Sequence, residues 1–157
     1  MTDQNKQTAS NAISVNAQYI KDISFENPRA PFPFMQQEQP AINLDLEINV
    51  NILEKNTYEV ILKIEADAKV EDQNLFLVEL QYAGVFTIDE GNMDQAQKEL
   101  ILSVNCPNII FPYARRILSD ITRDGGYPPL MISPIDFLGL YLQRKSQDSD
   151  STDKTIN

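Results

Sequence analysis

The sequence predicts an α+β fold, a four-stranded antiparallel sheet with helices packed on one face, and three observations carry that expectation. Four stretches between Val15 and Ile88 alternate in polarity or are rich in the β-branched and aromatic residues of strands. From Met93 onward the apolar spacing changes to three and four residues, the period of amphipathic helices. The short link Glu54, Lys55 and Asn56 makes the second and third strands antiparallel neighbours, and strands followed by helices, rather than alternating with them, define the class.

The bounds are consistent with that class. A chain of 157 residues, 42% hydrophobic, makes one domain with a substantial core. Thirteen basic against 23 acidic residues leave a net charge of −10, which disfavours nucleic acid or an anionic membrane as the main partner and suits a basic one. The blander reading of that charge is solubility. Histidine is absent and Cys106 is the only cysteine, so zinc sites, disulfide frameworks and His-dependent triads are excluded. No metal or other cofactor is expected. No apolar run approaches the length of a membrane span, and MTDQNKQTASNA lacks the basic and apolar regions of a secretory signal, so the protein is expected to stay in the cytoplasm.

Residues 1–12 and 146–157 are polar and read as disordered tails around a folded domain over 13–145. The first strand, Val15 to Glu26, is expected to place Tyr19, Ile23 and Phe25 on one face and Ile20, Asp22, Ser24 and Glu26 on the other. The connection ENPRAPFPFMQQEQP holds Phe32, Phe34 and Met35, large apolar residues that either plug the core or stay exposed for binding. Ala41 to Leu53 alternates strictly, Ile42, Leu44, Leu46, Ile48, Val50 and Ile52 forming a face that is expected to be covered. Thr57 to Val70 alternates again, with Tyr58, Val60, Leu62, Ile64, Ala66 and Ala68 inward.

Leu75 to Ile88 is apolar on both faces: Leu75 and Leu77 on one side, Phe76, Val78, Leu80 and Tyr82 on the other. Such a strand is buried on both faces, which points to a second subunit covering part of the outer surface. A short helix is expected over Met93 to Val104. A longer one follows, with Asn105 as cap, Pro107 near its first position and Gly125 and Gly126 as its stop. After YPPL, a third helix is expected from Ser133, Pro134 and Asp136 in a capping-box arrangement, carrying Ile135, Phe137, Leu138, Leu140, Tyr141 and Leu142.

Few routes to catalysis remain. Cys106 has no histidine to activate it, the pairs Asp45 with Glu47 and Asp22 with Glu26 lie on strand faces where solvated acids are ordinary, and no Gly-rich phosphate loop exists. A non-enzymatic binding protein is expected. Phe32, Phe34, Met35, Tyr113, Tyr127 and Phe137, with prolines nearby, supply adaptable apolar surface of the kind that binds many sequences by contact area. Exposed strand edges can add backbone hydrogen bonds to an extended client.

The runs CPNIIFPYAR, YPPL and SPIDFLGLYL closely resemble the carboxy-terminal half of the SecB family of bacterial protein-export chaperones. YIKDISFENPRAP resembles the family's first strand and FLVELQYAGVF its fourth, so the resemblance covers about residues 19 to 145. It implies a SecB-like domain assembling as a homotetramer, a dimer of dimers, with the helix Ile109 to Ile121 packed between dimers. It implies grooves for unfolded precursor proteins beneath the connection holding Phe32, Phe34 and Met35. Delivery to the SecA motor ATPase through an acidic sheet patch maps to Asp22, Glu26, Leu77 and Glu79. Tetramer positions map to Val78, Leu80 and Tyr82, together with Ile109, Tyr113 and Ile117 on the helix. Tyr82 replaces a glutamine common in the family, and the turn DEGNMDQ differs from the usual one. The expected function is therefore an ATP-independent cytoplasmic holdase, with no nucleic acid partner and no direct membrane insertion. The alternative is a structural oligomeric adaptor that binds a folded partner through its acidic sheet.

Overall fold

The computed structural model describes residues 12–152, with side-chain surroundings given through residue 150. Residues 1–11 of the expected amino-terminal tail and 153–157 of the carboxy-terminal one lie outside the described residues. Four strands, β1 (Ile13–Glu26), β2 (Ala41–Glu54), β3 (Thr57–Val70) and β4 (Gln73–Ile88), form one antiparallel sheet in the order β1-β4-β3-β2. Three α-helices follow among the described residues: α1 (Gln95–Leu100), α2 (Cys106–Asp124) and α3 (Phe137–Thr152).

The alternation fixes which face of the sheet is buried. Even-numbered residues of β2, β3 and β4 share the helix-covered face: Ile48, Leu62 and Tyr82 are aligned across the sheet, as are Leu46, Ile64 and Leu80. Helix α2 lies over β3 and β4 and buries Ile110, Phe111, Ala114 and Leu118 on Val60, Leu62, Leu80 and Phe86. The whole inward set predicted for β3 is buried.

The two edge strands differ from expectation, β2 because the helices cover only part of it and β1 because its register shifts. On β2, Leu46 and Ile48 are partly buried, whereas Ile42, Leu44 and Val50 are exposed and Ile52 is 78% exposed, so the face expected to be covered is open within one chain. On β1 the expected alternation breaks at Lys21. Ile20 pairs with Tyr82 and Asp22 with Gln81, leaving Lys21 as an extra residue. A strand has a two-residue period, so one inserted residue swaps the parity on either side of it. Ile20 therefore joins Ile23 and Phe25 on the helix side, and Tyr19 joins Asp22, Ser24 and Glu26 on the outer face. In β4 Leu75 is likewise an extra residue, since Phe76 pairs with Ala68 of β3 and Asn74 with Lys69, and it joins Phe76 in the core.

The helical part is also corrected. Asn105 does not cap a helix, because it is already helical (φ −68°, ψ −47°). The true start is Asp94, whose carboxylate accepts from the Gln97 N–H at 2.8 Å while the Gln97 side chain accepts from the Asp94 N–H at 3.1 Å, a capping box. Helix α1 runs into α2 through one wide π turn, Ile101–Asn105, in which the Cys106 N–H bonds the Ile101 carbonyl. Pro107 follows directly and cannot donate a helical hydrogen bond, so the irregular turn falls where the ladder is already incomplete. The predicted stop holds: Gly125 and Gly126 donate back to Ile121 and Arg123.

Asp136, not Ser133, opens α3, its Oδ1 accepting from the Gly139 N–H at 3.0 Å. The helix continues through Ser146 to Thr152, residues expected to be an unstructured tail. Tyr141 donates to Glu99 and Lys145 pairs with it at 3.5 Å, tying α3 to α1.

Candidate functional site

Two surfaces stand out, one on each side of the sheet. The first is an open groove of about 640 Å³ between the connection after β1 and the crossing from α2 to α3. Pro33 and Phe34 form one wall and Tyr127, Pro128 and Pro129 the other, Leu75, Phe76 and Ile42 add apolar surface, and Gln36, Glu38 and Gln39 give the groove a polar margin. Phe34, in a short 3-10 turn (Phe32–Met35), lies 5.3 Å from the Tyr127 ring, which lies 5.0 Å from Phe76. Phe25 stacks on Phe76 at 5.7 Å, so the aromatic run continues into the core.

Polar bonds hold the groove's walls in place. The Tyr127 hydroxyl reaches Asn27 Oδ1 at 2.6 Å and the Leu75 carbonyl at 3.1 Å, and Asn27 Nδ2 donates to the Gly125 carbonyl at 2.9 Å. Burial pushes the Tyr127 phenol up, so it stays protonated as a donor. Thr122 is fully buried, accepts from the Leu130 N–H at 2.9 Å and donates to the Leu118 carbonyl at 2.8 Å, pinning the crossing to α2. Gly126 has φ +95°, and a Cβ there would meet the Phe34 ring at 2.7 Å, so glycine is required both by the backbone and by the ring above it.

Of the residues predicted to bind clients, the structure brings Phe34 and Tyr127 together in this groove. Phe32 and Met35 are exposed beside it, Met35 at 78%. Tyr113 is elsewhere, on α2, half-exposed and stacked on Tyr82 at 6.2 Å. Phe137 is corrected: it is 1% exposed, packed edge-on against Phe111, and belongs to the core. Its position one residue after the cap of a very apolar helix was the signal for burial. Leu75, Phe76 and Ile42 were missed as groove residues; Leu75 was expected on the opposite face from Phe76 and is brought to the helix side because it is the unpaired residue of β4 between Asn74 and Phe76.

The second surface is carboxylate-rich and lies on the outer face. Across it Asp45 is opposite Glu65, Glu65 opposite Glu79, and Glu79 opposite Ser24. In the adjoining row Asp67 faces Leu77 and Leu77 faces Glu26. These side chains surround a shallow depression of about 230 Å³. Lys63 bonds Glu65 at 3.0 Å and approaches Glu79 at 3.6 Å, and these carboxylates raise its pKa, Glu65 most. Glu26, Leu77 and Glu79 of the predicted patch are thus brought together, and Asp22 continues the same face opposite Gln81. Asp45, Glu65 and Asp67 were missed as members because only the strand order carries β3 beside β4.

Neither surface is set up for covalent chemistry. Cys106 is buried inside the helix, where desolvation pushes its thiol up to about 12, the reverse of an activated nucleophile. Asp22, Glu26, Asp45 and Glu47 are exposed. Of the residues predicted for the tetramer interface, Val78 and Leu80 are corrected: they are 3% and 0% exposed beneath the chain's own helix and offer no surface to a second subunit. Tyr82 is nearly buried, paired with Ile20 and stacked on Tyr113, while Ile109, Tyr113 and Ile117 form a stripe along α2. Among the described residues no helix is long and apolar enough to cross a membrane, and no cluster of metal-ligating side chains occurs.

An α+β domain with an open aromatic groove on one side and opposed carboxylates on the other is a binding protein of the chaperone class. The family model for preprotein translocase subunit SecB matches residues 5–148, and the chain belongs to the SecB family of protein-export chaperones. It is 51% identical over 140 residues to the protein-export protein SecB of Parvibaculum lavamentivorans, covering 88% of this chain and 82% of that one. It is 53% identical over 137 residues to the protein of the same name from Rickettsia felis, covering 86% and 89%. Among solved structures, it resembles a SecB-like chaperone of Mycobacterium tuberculosis in complex with a ChAD peptide from an antitoxin. The TM-score is 0.65 at 16% identity, over 79% of this chain and 91% of that one, a likeness of fold.

Proposed function

We propose that the protein is an ATP-independent holdase that keeps unfolded precursor proteins in a translocation-competent state and delivers them to the SecA motor. The observation that carries the reading is the groove between Phe34 and Tyr127: large, lined by aromatics and proline, and open at the surface. Apolar contact of this kind selects for exposed side chains of an unfolded chain and is indifferent to their order. Phe32 and Met35, both well exposed, extend the client surface beyond the groove. The outer face, with Asp22 and Glu26 on edge strand β1, Leu77 and Glu79 on β4 and Glu65, Asp67 and Asp45 on β3 and β2 beyond them, suits a basic segment of the motor. Opposed like charges are unfavourable in the free protein and are relieved by a cationic partner.

The assembly we propose is a homotetramer, a dimer of dimers, in the cytoplasm, with Tyr82, Ile109, Tyr113 and Ile117 at the contact between dimers. Uncovered apolar side chains at both sheet edges, Ile20 and Ile23 on β1 and Ile42 and Leu44 on β2, support further burial by association or by client. The test is light-scattering mass after gel filtration, with and without an unfolded, slow-folding precursor. A species of about 71 kDa, four times the 17.8 kDa chain, that grows only with the unfolded client supports the proposal. A monomer that ignores the client overturns it. Equal binding of folded and unfolded client would favour the adaptor.

A further inference from the structure

We propose that Asn27 is a positioning residue of the groove: its amide holds the hydroxyl end of Tyr127, and through that ring the facing Phe34, so that the groove is formed before a client arrives. The inference deepens the holdase reading and rests on it for its consequence. Asn27 directly follows the last residue of β1, at the root of the connection that carries Phe34. Its Nδ2 donates to the Gly125 carbonyl at 2.9 Å, and its Oδ1 accepts from the Tyr127 hydroxyl at 2.6 Å. The carbonyl can only accept, so it takes the NH2 side of the amide and leaves the oxygen for the phenol. One side chain thus meets two needs of the turn that ends α2. It supplies a donor to the carbonyl of the C-cap residue, beyond the last helical bonds, and an acceptor to the phenol two residues on.

Both walls of the groove rest on this bond. Phe34 belongs to a 3-10 turn none of whose residues is buried and which has no side-chain cap, and it is itself half-exposed. It leans on the Tyr127 ring at 5.3 Å and lies over Gly126, so its place follows that of Tyr127. On its other side Tyr127 meets Phe76 at 5.0 Å, and its hydroxyl also reaches the Leu75 carbonyl at 3.1 Å. A phenol has one proton, and the shorter bond is the one to Asn27. The Leu75 bond ties the hydroxyl to β4, whereas Asn27 ties it to the root of the opposite wall. Asn27 is held in turn by its surroundings. Phe25 is stacked on Phe76 and set against Gly125, and the Ala30 N–H donates to the Asn27 carbonyl at 3.3 Å. Asn27 lies outside the groove's lining, so it acts on a client only through the residues it holds. A support fixed in this way lowers the ordering cost of binding without touching the ligand.

The test is a double-mutant cycle on client affinity. A permanently unfolded client carrying a fluorescent label is titrated with the parent, Asn27→Ala, Tyr127→Phe and the double variant. Both single changes break the same bond and leave every ring of the groove in place, so each is expected to weaken binding by about 5-fold. The double variant is expected to lie within about 2-fold of the weaker single one. Independent effects that multiply to about 25-fold, or no loss in Asn27→Ala, overturn the proposal. Asn27→Asp keeps an acceptor for the phenol and gives up the donor to Gly125, so it should bind within about 2-fold of the parent. Affinity as low as that of Asn27→Ala would place the effect in the Gly125 bond and overturn the role of the phenol.

The placement of the ring is also read without a client, by fluorine NMR of protein carrying fluorotyrosine. The Tyr127 resonance is the one missing from Tyr127→Phe. Asn27→Ala should shift or broaden it and leave those of Tyr82 and Tyr113, stacked on each other at α2, in place. An unmoved Tyr127 resonance overturns the proposal, and so does movement of all the resonances together, which would mean general loosening. If the Tyr127 resonance alone responds but the parent protein does not bind the unfolded client, the positioning of the ring stands and the holdase reading falls.

Discussion

Glu65 on β3 and Glu79 on β4 are directly opposed across the sheet, and Lys63 reaches both, at 3.0 and 3.6 Å. One ammonium thus serves two carboxylates, with Asp45 a third acid in the same row. Glu79→Lys should weaken binding of a cationic motor segment by about 10-fold at low salt, and the difference should vanish near 1 M salt, where the screening length is about 3 Å. Holding of unfolded client should be unchanged. Titration calorimetry at two ionic strengths checks this, and unaltered motor binding would show that the docking face lies elsewhere.

Phe137 and Phe34 are both phenylalanines, and their environments predict opposite consequences. Phe137→Ala empties a site that is 1% exposed and should cost about 3–5 kcal/mol in a urea titration. Phe34→Ala removes a ring that is 50% exposed and should cost less than about 1.5 kcal/mol, while lowering affinity for an unfolded chain. Similar destabilisation by both would mean that Phe34 is a core residue.

Glu59 predicts an acid limb of stability. Hydrogen bonding from Lys21, then from Tyr19, holds its carboxyl at about 2, below the ordinary 4.5. A carboxylate depressed in the folded state contributes stability above the unfolded pKa and loses it as pH falls through the folded one. The parent should therefore lose stability from about pH 4.5 down to about 2, and Glu59→Gln should show a shallower slope there. Tyr19, pushed up to about 12 by burial and then by its bond to Glu59, acts at the other end. Its contribution is complete below pH 10 and is lost from there to about 12, and Tyr19→Phe should flatten that limb. Denaturant midpoints across pH check both slopes.

Gly84 lies where α2 presses on β4. A Cβ there would stand 2.7 Å from the Phe86 ring and 3.0 Å from Ile110 Cγ2. Gly84→Ala should destabilise by about 1–3 kcal/mol through overpacking, and thermal unfolding with Ile110→Val in the same chain should recover part of it.

The fold was legible where the physics is local. Strict alternation placed β2 and β3 within a residue of their observed ends, and Gly125 and Gly126 marked the end of α2. What the sequence hid depended on distant groups. The facing of Tyr19 and Ile20 is set by an inserted residue, Lys21, and the spacing of Ile20 and Ile23, three apart on one face, was the trace it left. Asn105 has the residue type of a cap but sits in a helix that began at Asp94, because the wide turn before Pro107 lets the chain pass through. The Phe34 and Tyr127 pairing was within reach as two proline-flanked aromatics. The acidic row was seen only in part, since Asp45 and Glu65 join it through a strand order that periodicity does not encode.

The central claim, that the groove between Phe34 and Tyr127 holds unfolded chains, is tested most directly by fluorescence titration. One client, labelled in its folded form and in a permanently unfolded form, is titrated with the parent protein and with Phe34→Ala. Binding of the unfolded form alone, nearly independent of salt and weakened about 10-fold or more by Phe34→Ala, is the predicted result. Equal affinity for the two forms, or affinity for the unfolded form that Phe34→Ala leaves unchanged, would contradict it.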